Sequence, residues 1–170
     1  MAAEVRNKTH SFIGFIPTHP DHVEAFCELA NLSPDDVVYD LGSGDGRLVF
    51  AALHAGAGRA VGIELDGSLA KNSGNTAAGK RLDGRAQFVN ADVTAVDLSQ
   101  ASVIFCYLTP EASAKLGPKF KRELRPGTRI VMESFPIPGW VPSKTAVRGY
   151  ADYYETNRFY LYVVPQQAHD

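Results

Sequence analysis

The stretch VVYDLGSGDGRLVFAAL, residues 37–53, constrains the fold of this chain more than any other. A strand-forming run reaches the acid Asp40, three glycines follow at alternate positions, and an apolar run at helical spacing starts directly afterwards. A strand that passes into a helix through such a loop is typical of a parallel α/β sheet, in which ligands bind beyond the carboxyl ends of the strands. Glycines there permit positive φ angles and let a ligand approach the main chain closely.

Other short apolar runs predict further strands. They are AVGIEL, AQFVNAD, SVIFCYL and PGTRIVMESF, with a final pair at SKTAVRGY and TNRFYLYVV. The first strands are continuous apolar runs without alternation, which is typical of a parallel sheet buried on both faces. Because helices are predicted between them, the sequence indicates a doubly wound α/β sheet.

Helical spacing and capping residues predict the helices. Thr18 is expected to cap the first helix, with Pro20 in its first turn. The stretch 66–80 is rich in glycine, and each interior glycine costs about 1 kcal/mol relative to alanine, so we expect a short or frayed helix there. A helix at 110–124 is expected to break or kink at Gly117-Pro118.

Composition sets the domain organisation and excludes several functions. A chain of 170 residues with 45% hydrophobic and 21% charged residues is long enough for one domain, predicted at residues 12–170 after a flexible segment at 1–11. The net charge of −2 argues against nucleic-acid binding, which needs a basic stripe. No apolar run reaches the roughly 20 residues of a membrane span, and no secretion signal is recognisable, so a cytoplasmic protein is expected.

Cysteines and histidines predict neither disulfides nor a metal site. Cys27 and Cys106 are far apart and lack Cys-x-x-Cys partners, so we expect two reduced, packed thiols. His19 and His22 have no nearby third ligand.

Asp40 distinguishes between the two ligand classes that use a glycine loop. Dinucleotides place a pyrophosphate over G-x-G-x-x-G, but here the spacing is G-x-G-x-G, and an acid would repel a pyrophosphate. A cationic ligand would be attracted, and S-adenosylmethionine carries both a sulfonium and an ammonium group. Glu64 and Asp92 end the next two predicted strands, where they would accept hydrogen bonds from the ribose and the adenine.

These motifs resemble a known family. VVYDLGSGDGR, VGIELD and NADV resemble the seven-strand, class I S-adenosylmethionine-dependent methyltransferases. FIPTHPDHVEAF, ASVIFCYLTPE, ELRPGTRIVMESFPIPGW and YLYVV resemble the small protein lysine methyltransferases, including archaeal enzymes of broad specificity and mitochondrial ones. The resemblance runs from about Phe15 to Val164. It implies a Rossmann-like, mostly parallel sheet with an antiparallel C-terminal strand, and methyl transfer to lysine that yields S-adenosylhomocysteine.

The resemblance also implies the residues of the site. A lid at 15–18, the glycine loop and the strand ends would bind the cofactor through Ile16, Pro17, Thr18, Asp40, Gly42, Ser43, Gly44, Glu64, Asp92, Val93 and Tyr107. The reacting methyl group would face three aromatic residues, Tyr107, Phe135 and Trp140. Aromatic walls would hold a lysine ammonium by cation–π attraction and favour its neutral form by desolvation.

Several alternatives stay open on the sequence alone. The expected partner is a protein with an exposed lysine, and the expected state is a monomer. A small-molecule methyltransferase, a dinucleotide-binding oxidoreductase and a non-catalytic cofactor-binding protein are the rival interpretations. Glu111 and Glu133 could steer a basic substrate, but both are expected to lie on a solvated face.

Overall fold

The structure, a computed structural model, describes residues 16–82, 84–149 and 156–165. Within these ranges the chain forms seven strands and four helices. The strands are β1 (Val37–Leu41), β2 (Arg59–Glu64), β3 (Ala86–Asn90), β4 (Val103–Cys106), β5 (Arg129–Glu133), β6 (Lys144–Gly149) and β7 (Thr156–Val163). The helices are α1 (Pro20–Ala30), α2 (Arg47–His54), α3 (Gly67–Gly79) and α4 (Pro110–Glu123). The predicted flexible segment, residues 1–11, lies outside the described residues.

All seven strands join one sheet in the order β3-β2-β1-β4-β5-β7-β6. The strands from β3 to β5 are parallel, whereas β7 is antiparallel to both β5 and β6. The predicted doubly wound sheet with an antiparallel C-terminal strand is therefore confirmed. The order reverses between β1 and β4, so the glycine loop that follows β1 lies at the switch point where such sheets bind ligands.

Helices cover the sheet on both faces. On one face, α1, α2 and α3 pack over a core that includes Phe26, Leu48, Val49 and Ala77 from the helices and Val38, Phe105 and Val131 from the sheet. On the other face, α4 packs Leu116 and Phe120 against Ile104, Ile130 and Tyr162. Because side chains alternate along a strand, Asp40 shares the first face with Val38. Among the described residues, none of the helices has the length and apolar character that crossing a membrane requires.

Two expectations about helices are wrong. The glycine-rich stretch forms a 13-residue helix, α3, with the Asp66 side chain accepting hydrogen bonds at its N-terminus. Its inward positions are small, Ala70, Ser73 and Ala77, so the helix can lie close to the sheet and packing offsets the cost of the glycines. In α4 the helix continues past Pro118 to Glu123 without the expected break.

The start of α1 also differs from the prediction. The N-cap residue is His19 rather than Thr18, and its Nδ1 atom accepts a hydrogen bond from the Asp21 amide at 3.2 Å. Pro20 occupies the first turn, as predicted. Thr18, released from capping, is buried instead.

A buried carboxylate ties the amino ends of the central strands together. Asp36, 5% exposed, accepts hydrogen bonds from the Ser33 amide at 2.8 Å and from the Ser102 hydroxyl at 2.7 Å, and it forms an ion pair with Arg129 of β5. Burial alone would raise the pKa of Asp36, but the hydrogen bonds from Arg129, Ser102 and Ser33 outweigh it and hold the pKa below its usual value.

We predict that Asp36→Asn lowers the free energy of unfolding by about 1–3 kcal/mol at neutral pH, because Arg129 loses its charged partner. A carboxylate with a depressed folded-state pKa stabilises the fold above its unfolded pKa of about 3.9, and this contribution disappears as pH falls through the folded-state value. Urea unfolding from pH 7 to pH 3 measures both effects. Asp97→Asn, which alters an exposed turn carboxylate, is the control, and equal losses in both variants would contradict the prediction.

Candidate active site

Asp40 is a buried carboxylate beside the switch point of the sheet. It lies on β1 between Gly62 of β2 and Phe105 of β4, and it is 2% exposed. Within the described part of the chain, no group donates a hydrogen bond to it. Burial first, and then repulsion from Glu64 and Asp45, raise the pKa of Asp40 to about 8. A cationic ligand would relieve both penalties, since it would favour the ionised carboxylate.

The glycine loop is shaped by backbone geometry that side chains oppose. Its three glycines all have positive φ, at 83° for Gly42, 53° for Gly44 and 81° for Gly46. The amides of Gly42 and Ser43 donate to the Ile63 carbonyl at 2.8 and 3.0 Å, which ties the loop to β2. A Cβ atom on Gly42 would lie 2.7 Å from the Leu108 side chain. The sequence therefore needs glycine here for both conformation and space.

Glu64 is fixed at the end of β2, next to the loop. Its Oε2 atom accepts a hydrogen bond from the Gly44 amide at 2.7 Å, and its Oε1 atom accepts one from the Asp66 amide at 2.8 Å. Each carboxylate oxygen keeps a further lone pair for a ligand. This placement fits the predicted hydrogen bonds to ribose hydroxyls, which stay a prediction.

Asp92 and Val93 follow β3 beside Glu64, and the Ala91 amide donates to the Glu64 carbonyl at 3.1 Å. Asp92 is exposed, and its Oδ1 atom accepts hydrogen bonds from the side chain and the amide of Thr94, which lower the pKa of Asp92. Val93 is half-buried against the core on the α4 side. The two residues thus lie where the predicted adenine contact requires them.

A narrow crevice of about 30 Å³ brings six of the predicted residues together. It is lined by Ile16, Thr18, Asp40, Gly42, Ser43 and Tyr107, together with Asp45, Arg47 and Leu48. A larger groove of about 640 Å³ between α1 and α2 shares Thr18, Asp45 and Arg47 with it. That groove does not contain Asp40 or the glycine loop, so we place the site in the crevice despite its smaller volume.

Arg47 bridges the top of the crevice, a role that sequence reasoning missed. Its guanidinium donates to the Thr18 carbonyl at 2.7 Å and pairs with Asp45 at 2.5 Å. The contact joins the first turn of α2 to the segment before α1. The only sequence signal was the position of Arg47 directly after the glycine loop.

Ser43 tests whether the crevice fits a cofactor. Its hydroxyl is buried and has no hydrogen-bond partner within the described residues. A buried polar group without a partner is costly, and a ligand hydroxyl, carboxylate or ammonium in the crevice would supply one. Together with the anionic Asp40 and the exposed backbone of Gly42, the residues present fit the methionine end of S-adenosylmethionine.

The three predicted aromatic residues lie in different places. Tyr107 lines the crevice just beyond β4. Phe135 is half-buried in the loop after β5. Trp140 lies on the opposite face of the sheet, with its ring centroid 6.0 Å from that of Tyr162 and the Lys121 ammonium 5.9 Å from its ring. Within the described residues the structure brings only Tyr107 to the crevice, and the proposed roles of the other two stay predictions.

The lid prediction is only partly covered by the described residues. Ile16 is 63% exposed and lines the crevice, Pro17 is exposed, and Thr18 is buried against the site. Phe15 lies outside the described residues.

Glu133 was expected on a solvated face, and that expectation is wrong. It ends β5 with 1% exposure, while Glu111 is exposed as expected. The His22 Nδ1 atom lies 2.8 Å from Glu133 Oε1, and the Asn157 amide donates to the same oxygen at 2.7 Å. Burial raises the pKa of Glu133, although Asn157 and His22 oppose the rise. The available signal was the inward position of this carboxylate in RIVME, two residues after a core valine.

Comparison with protein families and curated proteins gives consistent matches. Residues 40–144 match the ANTKMT methyltransferase domain. A protein-lysine N-methyltransferase of Saccharolobus islandicus is 35% identical, with 89% of this chain and 94% of that protein covered. A lysine N-methyltransferase of rat, named for one of the ATP synthase subunits, is 34% identical over 79% of this chain. The adenine nucleotide translocase lysine N-methyltransferase of mouse is 30% identical over 89% of it. The chain spans 62% and 63% of these two mammalian proteins.

Solved structures show the same fold. A crystal structure described as an RNA methyltransferase from Salinibacter ruber, in complex with S-adenosyl-L-homocysteine, superposes with a TM-score of 0.81 and 33% identity. It matches 91% of this chain and 97% of its own. The putative methyltransferase yhhF of Escherichia coli superposes with a TM-score of 0.72 at 22% identity.

We predict that Asp40→Asn weakens S-adenosylhomocysteine binding at least tenfold at pH 8.5, because the amide cannot neutralise the ligand ammonium. In wild type, affinity should increase from pH 6.5 to 8.5 as Asp40 ionises, whereas the variant should show no such increase. Because the pKa of Asp40 is raised, protonation stabilises the ligand-free fold at low pH, and this stabilisation is lost as pH rises through about 8. The variant should therefore have the higher Tm without ligand at pH 8.5. Calorimetry and thermal melts test both signs, and unchanged affinity would contradict the prediction.

We also predict that Gly42→Ala lowers Tm and S-adenosylhomocysteine affinity more than Gly56→Ala does. Both glycines have positive φ, at 83° and 108°, so both substitutions strain the backbone. Only at Gly42 would the new methyl group clash with Leu108, because the space around Gly56 is open. Thermal melts with and without ligand compare the two, and equal losses would show that the close approach to Leu108 is unimportant.

Proposed function

This chain belongs to the ANTKMT methyltransferase family, and from that premise we propose that it methylates the side-chain amine of lysine in protein substrates. Its methyl donor is S-adenosylmethionine. The observation that carries the proposal is the buried Asp40 carboxylate beside the glycine loop, which suits a cationic ligand.

We assign the cofactor to the crevice and the neighbouring strand ends. S-adenosylmethionine supplies an electrophilic methyl group on a sulfonium centre. Asp40 would neutralise the ammonium of its methionine part, and the Ser43 hydroxyl would bond to the same part. Glu64 would accept hydrogen bonds from the ribose, and Asp92 would accept one from the adenine. Ile16, Pro17 and Thr18 would cover the ligand, with Arg47 holding this segment by its bond to the Thr18 carbonyl.

The substrate side needs a neutral amine in line with the methyl group. A lysine has a pKa of about 10.4 in water, so it must lose a proton before it can attack. Tyr107 in the crevice would desolvate the ammonium and lower that pKa, while Phe135 and Trp140 would line the approach from the loop after β5. Holding the two groups in contact could lower the barrier by roughly 7–11 kcal/mol.

RNA methylation is the second candidate, because one similar solved structure is described as an RNA methyltransferase. The charges at the carboxyl edge of the sheet disfavour it. Asp45, Glu64, Asp66 and Asp92 all lie there, and Arg47 is already paired with Asp45. Such an edge repels a phosphate backbone and attracts a basic protein segment.

We also propose a monomeric, cytoplasmic enzyme. The thiols Cys27 and Cys106 are unpaired, as in reducing compartments, and burial raises the pKa of Cys27 to about 11. The large exposed apolar side chains of the described residues are scattered along the chain, at Ile16, Leu65, Val89, Val141, Val147 and Val163, which supports a monomer.

We predict that the protein transfers label from methyl-labelled S-adenosylmethionine to lysine in a cell extract, and that mass spectrometry of the labelled bands identifies methylated lysine. Asp40→Asn is the matched control and should transfer at least tenfold less label. A parallel sample treated with ribonuclease separates the two candidates. Label that disappears with ribonuclease would support RNA, and label on arginine, histidine or a metabolite would refute the lysine assignment.

A further inference from the structure

Glu133 is a second buried carboxylate at the edge of the sheet that carries Asp40. The strands β4 and β5 are paired up to Cys106 and Met132, so the next residues, Tyr107 and Glu133, lie side by side on strands about 5 Å apart. Two residues earlier, Phe105 and Val131 both face the core under α1. By alternation, Tyr107 and Glu133 therefore point to the same face as Asp40.

The partners of Glu133 occupy only one of its oxygens. Both the His22 ring and the Asn157 amide contact Oε1, at 2.8 and 2.7 Å. The Oε2 atom is buried and has no hydrogen-bond partner within the described residues. His22 lies one helical turn after Thr18, which lines the crevice, so α1 joins this cluster to the site.

A purely structural link between α1 and the sheet does not explain this arrangement. A buried carboxylate is strongly penalised unless its oxygens are paired, and a neutral amide in the same place would avoid much of that cost. The unpaired oxygen is thus available to a hydrogen-bond donor, and a donor with positive charge would gain most. Burial raises the pKa of Glu133, which also makes the carboxylate a better proton acceptor.

We propose that Glu133 Oε2 binds the ammonium of the substrate lysine and takes its proton. This inference rests on the proposed function. The reaction brings together two cations, the methyl donor and the lysine, which repel each other strongly in a desolvated site. Each would then have its own buried carboxylate, Asp40 for the donor and Glu133 for the acceptor. The aliphatic stem of lysine is long enough to carry its charge inward from the protein surface.

The proton and the electrons balance in this step. An N–H bond of the lysine ammonium breaks, and the proton passes to Glu133 Oε2, which leaves a lone pair on the nitrogen. That lone pair forms the new N–C bond while the C–S bond breaks and its electrons stay on sulfur. The methylated amine carries the positive charge, and Glu133 returns its proton to water.

The test compares wild type with Glu133→Gln, which keeps the size of the side chain and its contacts to Oε1 but removes the charge. The probe is the protein fraction of the cell extract, and the readout is label on lysine as a function of extract concentration. We expect the variant to raise the apparent KM and lower kcat, with a loss of at least tenfold in kcat/KM at pH 7.5. The dissociation constant of S-adenosylhomocysteine should change less than twofold, because Asp40 and the glycine loop are intact.

A pH profile separates proton transfer from a structural effect. The titratable and polar groups around Glu133 within the described residues are His22 of α1, Tyr107 after β4 and Asn157 of β7. As pH rises from 7.5 to 9.5, more lysine is neutral, so the deficit of Glu133→Gln should shrink by at least threefold. A constant deficit would overturn proton acceptance by Glu133.

The matched control is Glu123→Gln on α4, which breaks the pair with Lys119 at 2.7 Å on the opposite face of the sheet. It should lower Tm without changing KM. Should Glu133→Gln fail to fold, Glu133→Asp carries the test, since it keeps the charge on a shorter stem and should retain part of the activity at raised KM. If wild type labels lysine and the Glu133 variants match its kinetics, this inference is wrong. If wild type labels no lysine, the proposed function itself is wrong.

Discussion

The arrangement of this site depends on a negative charge that the fold buries without giving it a partner. Asp40 lies on the central strand, and no described hydrogen-bond donor reaches it. The loop glycines fold back on β2 and hold their backbone open, while Glu64 is fixed from two sides by main-chain amides. Fold stability is thus reduced locally in return for affinity, because a cationic ligand restores what burial of Asp40 costs.

The sequence predicted the sheet and the first half of the site because both depend on local patterns. Parallel strands are continuous apolar runs, and Asp40, Gly42 and Glu64 belong to motifs within a few residues of a strand end. Helix α3 was misjudged because glycines were counted as losses, whereas its small inward side chains bring it close to the sheet. Propensity gave way there to tertiary packing.

Glu133 could not be assigned from sequence for a different reason. Its burial requires α1 above it, β4 in register beside it and β7 inserted next to β5, and these elements come from distant parts of the chain. A glutamate that follows an apolar strand is solvated in many proteins. Only the three-dimensional arrangement shows that it faces inward, and the same arrangement gives the site two carboxylates on one face of the sheet.

The position of β7 has a consequence for biosynthesis. This strand follows β6 in the chain, yet it lies between β5 and β6 in the sheet and brings Asn157 to Glu133. During translation, β1 to β5 can leave the ribosome and begin to associate while a gap persists beside β5. The nascent chain would therefore stay catalytically silent, with an unprotected strand edge open to chaperones, until its final strand emerges and fills the gap.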